Sequence, residues 1–252
     1  MAISEAPLFD YAVIGVAAFM AGTCSGMTGF GGGLLLPPVL ASILGVQNVV
    51  PVLSLAMLMT NAHRVWLYRR HANWRVIGPV LITLIPGVVI GTQIYLGLRP
   101  DMVSYVLGAF LLLSIPIGRF FARRQLRLNP VGLSATAGVF GVISGTTPGA
   151  GVLMVPVLLG AGLIGESFLA TDASISVMVN LTKAVIFNQV GGFPLSLLST
   201  GLIIGACTIP GNYAARYILR RTTLRLHARI LEVIVLIGGL SLILRPVWQS
   251  PS

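Results

Sequence analysis

Apolar residues run through this chain in long blocks, separated by short polar or glycine-rich stretches. The blocks lie near 9–28, 31–46, 49–68, 76–98 and 102–121, then near 131–147, 149–164, 170–189, 194–216 and 230–247. A membrane span takes about 20 mostly apolar residues at about 1.5 Å rise each. The pattern therefore predicts an all-α, polytopic membrane protein. Several blocks are short, and the pairs around the glycine runs read either as full spans or as helical hairpins that dip in and return. The expectation is about eight to ten transmembrane or re-entrant helices.

The blocks come in two matching sets. Gly26-Met27-Thr28-Gly29-Phe30-Gly31-Gly32-Gly33-Leu34-Leu35-Leu36-Pro37-Pro38 is echoed by Gly145-Thr146-Thr147-Pro148-Gly149-Ala150-Gly151-Val152-Leu153-Met154-Val155-Pro156. Gly33 precedes Pro38 by five positions, and Gly151 precedes Pro156 by five. Further on, Asn61-Ala62-His63-Arg64 returns as Asn180-Leu181-Thr182-Lys183. A duplicated apolar unit with a glycine-broken helix marks a transporter built from internal repeats. The division expected is a first membrane repeat at 1–121, a basic cytoplasmic linker at 122–130 and a second repeat at 131–252.

Composition sharpens this picture. Of 252 residues, 56% are hydrophobic and 9% charged, against about 25% charged in a soluble domain; mean hydropathy is +0.94. Lipid must be the main solvent. The net charge of +10 fits loops that hold a cytoplasmic face. Nucleic acid is a poor partner, because the arginines sit in short loops between apolar spans. Cys24 and Cys207 both lie in apolar blocks and read as small packing residues rather than a disulfide. No CxxC or histidine cluster offers a metal site, and no cofactor is indicated. The first ten residues carry Glu5 and Asp10 but no basic residue, unlike the positive start of a cleaved signal peptide.

Arginine placement sets orientation. Clusters fall at Arg64, Arg69, Arg70 and Arg75, at Arg119, Arg123, Arg124 and Arg127, and at Arg216, Arg220, Arg221, Arg225 and Arg229. The positive-inside rule puts these in the cytoplasm and both termini outside. The plasma membrane, and for a bacterium the inner membrane, is the expected location. The basic loop at 69–75 corresponds to the uncharged stretch 189–193, and the weakly charged turn at 98–101 to the arginine-rich loop 216–229. Equivalent loops thus face opposite sides, which predicts two inverted repeats.

With these motifs in hand, the chain resembles the TauE/SafE family of sulfite and organosulfonate exporters. The resemblance rests on Gly-x-x-Gly-Phe-Gly-Gly-Gly-Leu-Leu-Leu-Pro-Pro, its return after Ser144-Gly145, the length, the two halves and the basic link. The second motif departs from the first: it is one residue shorter from Gly145 to Gly151, and it carries Pro148 and Ala150. The resemblance implies a permease for sulfur-containing or other small organic anions.

The residues themselves point to a site. Glycine costs about 1 kcal/mol against alanine inside a helix, so Gly31-Gly32-Gly33 more readily ends a helix than packs one. Thr28, Gly31, Gly32 and Gly33, with Thr147, Gly149 and Gly151, are candidates for unwound segments whose N–H groups face an anion. The plainer reading is close helix packing through small residues. Lys183, the chain's sole lysine, lies well inside a span, where a charge costs about 3 kcal/mol or several-fold more. The alternative is snorkelling to the interface. Asn61 with Arg64 and Asn180 with Lys183 are spaced i, i+3, so each pair shares a helix face. Two amides and two uncompensated cations would then converge on a small anion. His63, Asp172 and Glu232 are candidates for coupling to a proton or sodium ion. Asp172 is expected at a helix start, favoured by the helix dipole, and Glu232 beside Arg229.

The favoured function is a secondary transporter of sulfite, sulfonate, sulfoacetate or small carboxylates, working by alternating access about a site between the repeats. The alternatives are an anion channel or an intramembrane enzyme; no Ser–His or paired-carboxylate spacing supports catalysis. Lipid is the second partner, and self-association stays open.

Overall fold

The structure is a computed structural model that describes residues 8–28, 32–124, 130–191, 193–219 and 224–249. Its first five helices are α1 (Leu8–Thr28), α2 (Gly32–Leu44), α3 (Val49–Tyr68), α4 (Trp74–Gly97) and α5 (Pro100–Arg124). The next five are α6 (Pro130–Thr146), α7 (Gly151–Gly160), α8 (Gly165–Gly191), α9 (Leu195–Leu219) and α10 (Leu224–Gln249). Short 3-10 turns fall at Val46–Asn48 and Arg69–His71. No strand occurs among the described residues. Each apolar block of the sequence is one helix.

Four described helices are long and apolar enough to cross a membrane: Trp74–Gly97, Pro100–Phe120, Gly165–Gly191 and Leu195–Ala215. α2 and α7 are not. With 13 and 10 residues, they reach only about 20 and 15 Å, against a hydrocarbon thickness of about 30 Å. Both follow a glycine break, and both carry proline inside. Pro37 and Pro38 cannot donate to the carbonyls of Gly33 and Leu34, and Pro156 cannot donate to that of Val152. Such helices survive in a membrane only when protein surrounds them. Leu34, Leu36 and Leu40 of α2 are buried in an apolar cluster with residues of α1, α3 and α5. Met154 and Leu158 of α7 sit in a second cluster with α4, α6 and α8.

The helices interlock across the two halves. α1 packs on α9 and α4 on α6; α3 packs on α9 and α8 on α4; α2 packs on α10 and α7 on α5. α3 meets α8, and α5 meets α10. Replacing each helix by the one five places along returns the same set of partners. Glycine makes the closest of these seams possible. Gly87 and Gly91 on α4 lie against Gly138, Gly141 and Gly145 on α6. A Cβ added at Gly141 would stand 3.1 Å from the Gly87 Cα. This is the small-residue packing that lets backbones approach in lipid. Thr83 locks the seam by donating its hydroxyl to the Ser134 carbonyl at 2.6 Å.

α3 and α8 run antiparallel. The late α3 residue Arg64 meets the early α8 residue Asp172 at 3.4 Å. At the other end, the Tyr95 hydroxyl donates to the Gln47 carbonyl before α3 at 2.9 Å. The Tyr95 ring stands edge-on to Phe187 late in α8, with centroids 5.7 Å apart. Cys24 and Cys207 are both half-buried and pack against the apolar core, as small packing residues do.

Arg119 of α5 pairs with Glu232 near the start of α10, and α4, which carries Arg75 in its first turn, runs alongside α6. Among the described residues, Arg69, Arg70, Arg75 and Arg119 therefore lie toward one end of the bundle, with Arg99 at the other. In a background lacking Cys24 and Cys207, a cysteine placed at Ala72 should react with an impermeant thiol reagent only after the membrane is opened, and one at Arg99 from outside. The reverse labelling pattern would invert the orientation.

Candidate functional site

The middle of the bundle holds a polar cavity of about 60 Å³. By the same measure one water needs about 10–15 Å³, so the space suits a small oxyanion. Both halves line it: Ser25, Gly33, Thr60 and Asn61 from the first, and Ser144, Thr147, Gly149, Gly151, Asp172, Asn180 and Lys183 among those from the second. Its walls come from the centres of α3 and α8 and from both helix breaks.

The two glycine motifs touch at this point. Gly149 has φ +77, a conformation that strains any side chain with a Cβ. A methyl group added there would also fall 2.6 Å from the Gly33 carbonyl. Gly33 is equally confined by the Gly149 backbone. The starts of α2 and α7 thus meet at the cavity wall, where helix N-termini present N–H groups and fractional positive charge.

Pro148 explains the position of the lysine. The Ser144 carbonyl would normally accept the N–H of residue 148, but proline has none. α6 ends there, with Thr147 N–H still bonded to the Ile143 carbonyl at 3.0 Å. The Lys183 ammonium takes the orphaned acceptor, donating to the Ser144 carbonyl at 3.0 Å. A cation at a helix C-terminus is also favoured by the dipole. Lys183 is 3% exposed, so it does not snorkel to the interface. Among the described residues, no carboxylate lies within ion-pair distance of it.

Arg64 differs from the expectation of two uncompensated cations. It donates to Asn61 Oδ1 at 3.3 Å, as the i, i+3 spacing predicts, and to Asp172 Oδ2 at 3.4 Å. The reason is the true start of α8. The helix begins at Gly165, so Asp172 lies about two turns in, level with Arg64 on the antiparallel helix. It is not a terminal carboxylate facing a helix dipole. Arg64 and Asp172 are both buried. Asn180 lines the cavity, and its amide donates to the Ser176 carbonyl one turn back at 2.8 Å.

The remaining candidates lie elsewhere or outside the described part. Gly32 is buried beside Met57, one residue from the cavity wall. The Thr28 side chain and Gly31 fall outside the described residues, as does the side chain of Arg229. His63 faces away, with its ring 5.6 Å from Tyr213 and 6.2 Å from Trp66, and Trp66 is 63% exposed. Glu232 accepts from Arg119 Nε at 3.1 Å and does not line the cavity. Residues missed in the sequence are Ser144, whose exposed carbonyl Pro148 could have signalled, and Thr60, hydrogen-bonded to Thr208 of α9 at 2.6 Å.

These features define a polytopic helical membrane protein with a cationic cavity buried among helices of both halves. Residues 14–242 match the family model described as Sulfite exporter TauE/SafE. The chain belongs to that family, and membership implies a multi-pass membrane exporter or permease for sulfite or related sulfur anions. No curated protein and no solved structure matches the chain.

The contact between the breaks makes a direct test. Gly33→Ala drives a methyl group into the Gly149 backbone and should cost about 1–3 kcal/mol of stability, together with transport. Gly32→Ala meets only the flexible end of Met57, 2.8 Å from its Cε, and should cost less than half as much. Thermal unfolding of the purified protein in detergent measures both. Equal losses would place the tight contact at the wrong glycine.

Proposed function

We propose that this chain is a secondary transporter of small singly or multiply oxygenated organic and sulfur anions, of the sulfite, sulfonate, sulfoacetate or small carboxylate class. One observation carries the reading: Lys183, Asn61, Asn180 and both glycine breaks converge on one buried cavity of small-anion size. An ammonium, amide N–H groups and helix N-termini are the donors that bind an oxyanion through charge-assisted bonds.

The proposal includes inverted repeats, with residues 1–121 and 131–252 as the two units. The antiparallel course of α3 and α8 supports it, as do the exchangeable packing partners. A site at the meeting point of two oppositely oriented repeats is the arrangement alternating access requires. Location in a plasma membrane, the inner membrane in a bacterium, is part of the same reading. Of the three coupling candidates, Asp172 alone lines the cavity. A coupled proton or sodium ion would act there rather than at His63 or Glu232.

Flux into proteoliposomes loaded with sulfite, sulfoacetate, a taurine-like sulfonate or a small carboxylate tests the function. Accumulation against a gradient supports a transporter; flux that stops at equal concentrations identifies a channel. Lys183→Met should weaken anion binding by about 2–5 kcal/mol, about thirtyfold or more, with insertion retained. Arg64→Lys should be milder, because the charge survives while the planar fork is lost. Unchanged affinity in Lys183→Met would remove the cavity from the transport path.

A further inference from the structure

The cavity is electrically lopsided. Three charged side chains lie in or directly behind its wall: Arg64, Asp172 and Lys183. Arg64 and Asp172 neutralise one another at 3.4 Å, leaving the ammonium of Lys183 on the Ser144 carbonyl, an uncharged acceptor. The segment between Ser25 and Gly33 adds no ionisable group, since it reads Gly-Met-Thr-Gly-Phe-Gly-Gly. The carboxylate also has no counterpart in the first half. The offset that pairs Asn61 with Asn180 pairs Asp172 with Leu53.

A charge brought among buried helices gives up much of its hydration and is best matched by a fixed opposite charge. One negative charge finds Lys183. A second would have to draw on Arg64, which Asp172 already holds, and would be repelled by the Asp172 carboxylate on the same wall. The starts of α2 and α7 contribute N–H donors to the bound oxygens, but their fractional charge fades within a turn. We infer that Asp172 is a specificity-determining residue that restricts the site to singly charged oxyanions, such as an alkylsulfonate or hydrogensulfite, and excludes doubly charged anions of the same size. Like-charge juxtaposition is a common means of rejecting a wrong partner. The inference rests on the proposed anion site and narrows its class by charge: alkylsulfonates, hydrogensulfite and monocarboxylates remain, and sulfoacetate, a dianion, drops out.

Methanesulfonate and sulfate separate charge from shape, since both are tetrahedral and differ by a methyl group in place of one oxygen. Binding of each to the purified full-length protein is measured by calorimetry. The wild type should favour methanesulfonate by about tenfold or more, and Asp172→Asn should shift the ratio toward sulfate by a similar factor. The double variant Asp172→Asn with Arg64→Gln removes both members of the pair, leaves the net charge unchanged, and should restore the preference for methanesulfonate. Should the buried arginine prevent Asp172→Asn from folding, Arg64→Gln and the double variant decide the matter, since they differ only at Asp172: the double variant should bind sulfate better relative to methanesulfonate than Arg64→Gln does, by a similar factor, and an equal ratio in the two overturns the inference. Equal or tighter sulfate binding in the wild type overturns the inference while the anion site stands. A ratio unmoved by Asp172→Asn does the same. Absence of binding by either anion to the wild type overturns the proposed site and the inference together.

Discussion

A helix broken inside a membrane exposes backbone N–H and carbonyl groups that lipid cannot satisfy. Much of this molecule follows from that constraint. α2 and α7 are too short to span, so apolar clusters drawn from both halves enclose them. Their starts are brought together at Gly33 and Gly149, where the absence of side chains permits contact. The Ser144 carbonyl, left open by Pro148, is met by the Lys183 ammonium. Satisfying the broken backbone thus concentrates polar groups at the bundle centre. The same groups that make the break tolerable make the cavity polar.

Within this nearly exchangeable framework the second half carries the departures. Its glycine stretch is one residue shorter, and it alone has a proline in the break. It alone contributes a carboxylate to the cavity wall. Arg64 and Lys183 occupy equivalent positions in sequence, yet one faces a carboxylate and the other a carbonyl. The two halves thus place a cation at matching positions but give them unequal partners.

The apolar blocks carried the helices, because length and hydropathy act locally and lipid enforces them. The breaks were equally plain, since triple glycine and proline are local signals. Asn61 and Arg64 were legible as a pair for the same reason: three residues of helix place them on one face. The partner of Arg64 was not. Asp172 is distant in the chain, and its level depends on where α8 begins, a boundary set by the positive-φ turn at Gly165. Glu232 illustrates the same difficulty, since Arg119 on another helix captures it. The glycines of α4 and α6 were visible as small residues, but only their mutual contact gives them a purpose.

That seam between α4 and α6 reaches further than stability. One helix of the pair belongs to the first half of the chain and the other to the second, and α1 with α9 repeats the arrangement. The stretch between α5 and α6 therefore divides the sequence without dividing the molecule. A chain ending there would lack the α6 surface against which Gly87 and Gly91 close, and the α9 surface that covers α1. If the unit arose by doubling, its ancestor already had its two copies threaded through one another, and the fused chain inherited an obligate partnership rather than two independent lobes.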